Sequence, residues 1–269
     1  MRSAFQNGDR FEERYMIVGC STLCFSRNSL DLVFDYLTEL DISRYEVVVH
    51  DHSIHLTPAN STSDPQRISS YLKQRPGISP AAFFYREIRK DSFQEFSEIR
   101  ALASLARHCQ IPLITVLPSN STEIGSREVD RLAMLVQAAS GEGIELAVST
   151  QGGTWASIPE GLSTACRAIK DLSVALDPTH FPILDLDNSN QELILSRVAH
   201  VHVRDSGKGP LQFQTKVGRG HVEHGRILNL LERAGYQRML SIDIHDYADS
   251  PFPVLPEVRK LKFLLESLL

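Results

Sequence analysis

The sequence predicts a single (β/α)8 TIM barrel. Three observations predict it: eight short, β-rich apolar runs; an amphipathic stretch between one run and the next; and no linker or low-complexity segment dividing the chain. Several runs are almost continuously apolar, such as Val47–Val49 and Leu113–Leu117, as parallel strands covered on both faces must be. Eight units in one uninterrupted series fit a closed barrel better than the competing architecture, an open doubly wound sheet. A chain of 269 residues suits one such barrel, which typically needs about 250. Its 42% hydrophobic and 23% charged content is that of an ordinary packed globular domain.

In chain order the strands are expected at Tyr15–Gly19, Tyr45–His50, Ser79–Tyr85, Pro112–Leu117, Ile144–Ser149, Ser173–Asp177, Ala199–Arg204 and Leu240–Ile244. Residues 1–14 are polar and charged and read as an extension, with the barrel over 15–269. The first helix follows Asn28 as N-cap, with Leu30, Val33, Phe34 and Leu37 on one face. Val129, Leu132, Val136 and Ala139 form the same pattern in the helix before strand five. Val258, Leu261, Leu265 and Leu268 do so in the last helix, with Pro256 near its start. Gly141-Glu142-Gly143 and Ala234-Gly235 read as helix exits before strands five and eight.

Other classes are disfavoured. No GxGxxG follows the first strand and no GxxxxGK[ST] occurs, so Rossmann and P-loop phosphate chemistry is missing. The net charge of −5 argues against a nucleic-acid partner. No apolar run approaches a membrane span and the N-terminus lacks a signal-peptide core, so no membrane partner is expected. Cys20, Cys24, Cys109 and Cys166 form no CxxC pair and read as reduced thiols of a cytoplasmic protein.

In a barrel of this kind the reactive groups lie at the C-terminal strand ends. Strand six ends in Asp177, followed by Pro178 and His180; strand seven carries His200, His202 and Arg204 on one face by alternation; Asp243 interrupts apolar strand eight. A carboxylate ending an apolar strand is costly unless it faces a polar pocket or a cation. Asp177, His202 and Asp243 together suit a divalent ion such as Mn, Mg, Co or Zn. A metal-free polar network in the barrel mouth is the other reading of the same three residues.

These residues carry a resemblance. The D-P-T-H after strand six, H-V-H-V-R-D-S in strand seven, V-G-R-G at 217–220 and the acid in strand eight resemble the xylose-isomerase-like barrel superfamily over nearly the whole chain. This group contains sugar isomerases and epimerases, inosose dehydratase and endonuclease IV. The resemblance implies Asp177, His202 and Asp243 as metal ligands and His180 as a group touching substrate or a second metal. It also implies a sugar or sugar phosphate as substrate, and a homo-oligomer. Two departures stand out: Ser149 occupies the place of the family's strand-five Glu, and Asp243 replaces the usual strand-eight Glu. The expected function is therefore a sugar or polyol isomerase, epimerase or dehydratase acting through a divalent metal and an enediolate. Asp243 and His180 would be catalytic, and Arg204, Arg86, Ser149 and Gln214 would bind substrate. The alternative is a metal-free or degenerate barrel that binds a sugar-like molecule, because Ser149 is a weak ligand and a poor base. Abasic-site endonuclease activity fits less well, since Gln212 and Gln214 fall where that enzyme's Asp and His ligands would be.

Weaker candidates are the His50, His52 and His55 cluster with Asp51, the Ser119–Thr122 turn, and the Gln151–Trp155 loop as a lid. For Arg86, a bound phosphate or carboxylate competes with a surface ion pair to Glu87 or Asp91.

Overall fold

The structure, a computed structural model, describes residues 16–269 apart from 62, 210 and 211. The proposed 1–14 extension lies outside the described residues. Eight parallel strands close into a barrel in sequence order: β1 (Ile17–Ser21), β2 (Arg44–Val49), β3 (Ser79–Tyr85), β4 (Leu113–Val116), β5 (Glu145–Ser149), β6 (Leu172–Leu176), β7 (Val198–Val203) and β8 (Met239–Ile242). β8 returns to pair with β1 from Ile17↔Met239 to Cys20↔Ile242. The strands fall within two residues of the sequence expectation at each end.

Alternation along each strand splits the core in two. Val18, Val47, Phe83, Ile114, Val148, Val174, Val201 and Leu240 belong to the large outer core, which is shared with the helices. Ala82, Leu113, Ala147, Ala175, Ala199 and Met239 form a separate cluster. One residue from each of six successive strands meets there, which is possible only inside the barrel. Gly19 completes this layer from β1, because a Cβ there would come 2.3 Å from Met239 Sδ. Nearer the mouth, Leu23, Val48 and Phe84 make a small apolar patch.

The helical stripes are used as expected, with two local differences. Ser29, not Asn28, caps the first helix (Leu30–Glu39): its hydroxyl accepts from Leu32 N, while the Asn28 carbonyl meets His55 Nε2 at 2.8 Å. In the last helix (Val254–Leu268), Val258, Leu261 and Leu265 are buried, but Leu268 is 43% exposed on the final turn. Both helix exits hold, with Gly143 and Gly235 in left-handed conformation at φ +76°. The four cysteines are buried and unpaired.

Candidate functional site

The C-terminal strand ends enclose a cavity of about 230 Å³. That is below the range of roughly 300–1,000 Å³ usual for drug-sized ligands, so it suits a small molecule. Asp177, His180, His202, Arg204, Asp243 and Ser149 all line it, together with Arg86, Gln151, His245 and Tyr247. β6, β7 and β8 thus bring the predicted polar residues to one place.

Local hydrogen bonds fix each group. Asp177 N donates to Thr150 Oγ1 (2.7 Å), while Asp177 Oδ1 accepts from Thr179 N (2.9 Å) and Thr179 Oγ1 (2.6 Å). Asp177 Oδ2 pairs with Arg204 Nη2 at 2.7 Å. The same guanidinium reaches Asp243 Oδ2 through Nη1 (3.2 Å) and His180 Nε2 through Nη2 (2.7 Å). Arg204 is only 2% exposed, so a buried cation bridges the two buried carboxylates. His245 Nε2 lies 3.2 Å from Asp243 Oδ2, and His245 Nδ1 lies 2.6 Å from the Tyr247 hydroxyl. Asp243 Oδ1 is buried and has no hydrogen-bond partner among the described residues.

These contacts set the charges. Burial alone would raise Asp177, but Arg204 and then His180 override it and hold the carboxyl below its ordinary value. Asp243 is held well below its ordinary value, burial being outweighed by His245, His202 and Arg204. Burial pushes His180 and His245 down, towards the neutral imidazole.

A second polar layer lies deeper. Glu46 on β2 is completely buried, and its Oε2 lies 2.9 Å from His202 Nε2. His200 Nε2 stands 3.1 Å from Glu46 Oε1, without the alignment of a hydrogen bond. Burial alone would raise Glu46 and lower His202. Their mutual attraction wins, taking Glu46 to about 2 and His202 to about 9. Sequence reasoning missed Glu46, although an acid within the apolar run Tyr-Glu-Val-Val-Val was the signal. It also missed His245, two residues beyond Asp243 and therefore on the same strand face.

The expected metal set is partly engaged with protein groups. Both Asp177 oxygens have donors, Asp243 Oδ2 meets Arg204 and His245, and His202 bonds Glu46 through Nε2; Asp243 Oδ1 has no hydrogen-bond partner among the described residues, and His202 Nδ1 takes no part in the bond to Glu46. In this arrangement Arg204 pairs with both the Asp177 and the Asp243 carboxylates. The His, Cys and carboxylate atoms that do converge, among the described residues, are those of Glu46, His200 and His202, all within 4.8 Å of one another.

The remaining expectations separate by position. Arg86 lines the cavity with its guanidinium 5.4 Å from the Phe84 ring centroid. Its Nε is buried without a partner, and neither competing ion pair forms: Glu87 faces Arg89, and Asp91 caps the helix Ser92–Cys109. Gln214 lies behind the site, its side chain clasping His245 N (2.8 Å) and His245 O (2.9 Å). In the Gln151–Trp155 loop only Gln151 lines the cavity; Trp155 is fully buried and anchors the loop. The His50–His55 segment stays outside the cavity, with Asp51 paired to Arg89 at 2.6 Å. The Ser119–Thr122 turn is likewise elsewhere, with the Ser121 carbonyl accepting from Trp155 N at 2.8 Å. The V-G-R-G segment proves to be scaffold: Gly218 N (2.9 Å) and Gly220 N (3.0 Å) donate to Asp205 Oδ2.

The family model described as xylose isomerase-like TIM barrel matches residues 34–264. No curated protein sequence matches the chain. Among solved structures, the IOLI protein with a binding zinc atom is 14% identical with a TM-score of 0.73, covering 94% of this chain and 98% of that one. D-allulose 3-epimerase from Methylomonas sp. is 11% identical with a TM-score of 0.72, covering 95% and 99%. The probable 3-DHS dehydratase AsbF from Bacillus anthracis is 12% identical with a TM-score of 0.70, covering 91% and 98%. At these identities the likeness is one of fold. Among the described residues no helix is long and apolar enough to cross a membrane.

Proposed function

We propose, from the premise that this chain belongs to the xylose isomerase-like TIM-barrel family, that it moves a proton at a carbon beside a carbonyl in a small sugar-like or polyol-derived substrate. Isomerisation through an enediolate, epimerisation beside a carbonyl and eliminative dehydration of a hydroxy-carbonyl compound all begin with that step. The observation that carries the reading is Asp243 Oδ1, a buried carboxylate oxygen without a partner, at a cavity it shares with Arg204 and His180. Arg204 supplies the fixed positive charge that a developing enediolate oxygen needs in a site shielded from water. Asp243 and His180 take and return the proton. Arg204 and His245 hold Asp243 weakly basic at rest, so an oxyanion that draws Arg204 away makes the carboxylate a stronger base as the reaction proceeds. Ser149 and Arg86 face the same cavity and bind substrate oxygens. Fold relatives that include D-allulose 3-epimerase and the probable 3-DHS dehydratase AsbF support this class of chemistry.

A second reading places a Mn, Mg, Co or Zn ion at Asp177, His202 and Asp243. The free Asp243 Oδ1 and the zinc atom of a fold relative favour it. It requires Arg204 to leave Asp177 Oδ2, whereas His202 can keep Glu46 on Nε2 and offer Nδ1 to the ion.

The test is hydrogen–deuterium wash-in. Ketoses, aldoses, sugar phosphates and keto-polyols are incubated with the protein in D2O, and loss of the proton next to the carbonyl is followed by NMR. Exchange that disappears in Asp243→Asn and His180→Gln supports the reading. A complete lack of exchange across the panel, or exchange unchanged in both variants, overturns it.

A further inference from the structure

We propose that Glu46, His200 and His202 bind a divalent transition-metal ion of the zinc or cobalt class inside the barrel, one layer beneath the Asp177–Arg204–Asp243 cluster. The inference does not depend on the proton-transfer reading. Strand register gives the depth: His200 pairs with Ala175 and His202 with Ser241, each two residues before the carboxylate that ends its neighbouring strand.

Three observations converge. The first is geometric: the two imidazole Nε2 atoms stand 2.9 and 3.1 Å from the two oxygens of one carboxylate. Donors in a tetrahedral zinc site with bonds of about 2.0–2.1 Å are roughly 3.3 Å apart, so little movement admits an ion. Two imidazoles and one carboxylate are also a donor set suited to zinc or cobalt. The second is an orphan: His200 Nε2 is buried, close to an oxygen, and without an aligned hydrogen bond. Such an atom in a native interior calls for a partner.

The third is charge. Glu46, Asp177 and Asp243 are each no more than 2% exposed, and the one guanidinium buried among them is Arg204. With both imidazoles neutral, as ligands must be, three carboxylates against one guanidinium leave a net −2, which a divalent ion neutralises. A proton on His202 is the competitor, so uptake of the ion displaces protons from the imidazoles. Arg204 offsets one of the two upper charges, and with neutral imidazoles the Glu46 carboxylate below has no cation of its own. Ser241 Oγ, 3.5 Å from Glu46 Oε2, is at hand as a further oxygen.

The full-length protein, stripped with chelator, is titrated with Co2+ and with Zn2+ and examined by X-ray absorption and cobalt d–d spectroscopy. One equivalent with two imidazoles in the first coordination shell is expected, with release of protons on binding. Glu46→Gln should weaken uptake by a hundredfold or more, whereas Asp177→Asn should retain it. Failure of the folded wild-type protein to take up either metal overturns the proposal. A single imidazole in the shell also overturns it, and assigns the ion to the Asp177, His202 and Asp243 set. Because the imidazole count is made on the wild-type protein, a variant that does not fold leaves the test intact. The deuterium wash-in experiment reads the catalytic proposal separately.

Discussion

Arg204→Met tests the buried charge balance of the site directly. The substitution keeps a long apolar stem and removes the guanidinium that lies 2.7 Å from Asp177 and 3.2 Å from Asp243. All three groups are no more than 2% exposed, so solvent cannot replace the lost charge. Removing one partner of a buried pair costs about 3–5 kcal/mol, because the remaining charge is stranded. For a chain of this size that corresponds to a fall in Tm of roughly 6–15 °C. The pH dependence has a definite sign. In the wild type both carboxyls are held below their ordinary values, so their contribution is present above the unfolded carboxylate range and is lost as pH falls through the lower folded values. In the variant, burial is less opposed and pushes the same carboxyls up. The destabilisation should therefore be largest at neutral pH and shrink towards pH ~5, as the stranded groups gain protons. Urea denaturation of both proteins across that window measures it. A loss below about 1 kcal/mol at neutral pH, or one that does not change with pH, would refute the view of Arg204 as the buried counter-ion.

Other predictions are narrower. Arg86→Met should leave stability within about 0.5 kcal/mol, since Nε has no hydrogen-bond partner and the guanidinium only lies over the Phe84 ring, yet weaken a carboxylate- or phosphate-bearing ligand by about tenfold or more; calorimetric titration of charged and neutral ligands compares the two. Trp155→Ala should cost about 3–5 kcal/mol in denaturant while the Asp177–Arg204 pairing persists, because the indole is fully buried and faces away from the cavity. Asp205→Ala removes the acceptor for Gly218 N and Gly220 N; those amides should exchange with solvent much faster, and stability should fall by about 1.5–3 kcal/mol. Gly220→Ala should be as damaging or worse, since the new Cβ would stand 1.9 Å from Asp205 Oδ1.

Much of the barrel is legible in the sequence because its signals are local. Apolar runs, helical stripes and glycine exits each depend on a few neighbouring residues, and the apolar runs recur eight times. Leu268 shows the limit: its spacing continues the stripe of Val258, Leu261 and Leu265, but the last turn runs past the core that the stripe covers. The site was readable wherever a charged residue ends an apolar strand, as at Asp177 and Asp243. What the sequence does not contain is which strand faces which across the interior. Glu46 and His202 are separated by 156 positions and meet at 2.9 Å only because the barrel closes. Arg204 was legible as a polar face residue beside His202, but its pairing with two carboxylates from flanking strands depends on register. Gln214 had the chemistry of a substrate ligand, and the structure instead turns it onto the backbone of His245.

The small side chains packed inside the barrel bear on traffic. Ala82, Ala147, Ala175 and Ala199, with Leu113 and Met239, pack the barrel interior around a wholly buried Glu46, while the cavity opens at the C-terminal mouth. A water, proton or ion that enters from the mouth and reaches Glu46 comes down past Arg204 and His202. Exchange in the lower layer is therefore gated by the same groups that face a bound molecule, and an occupied mouth locks in whatever lies beneath it.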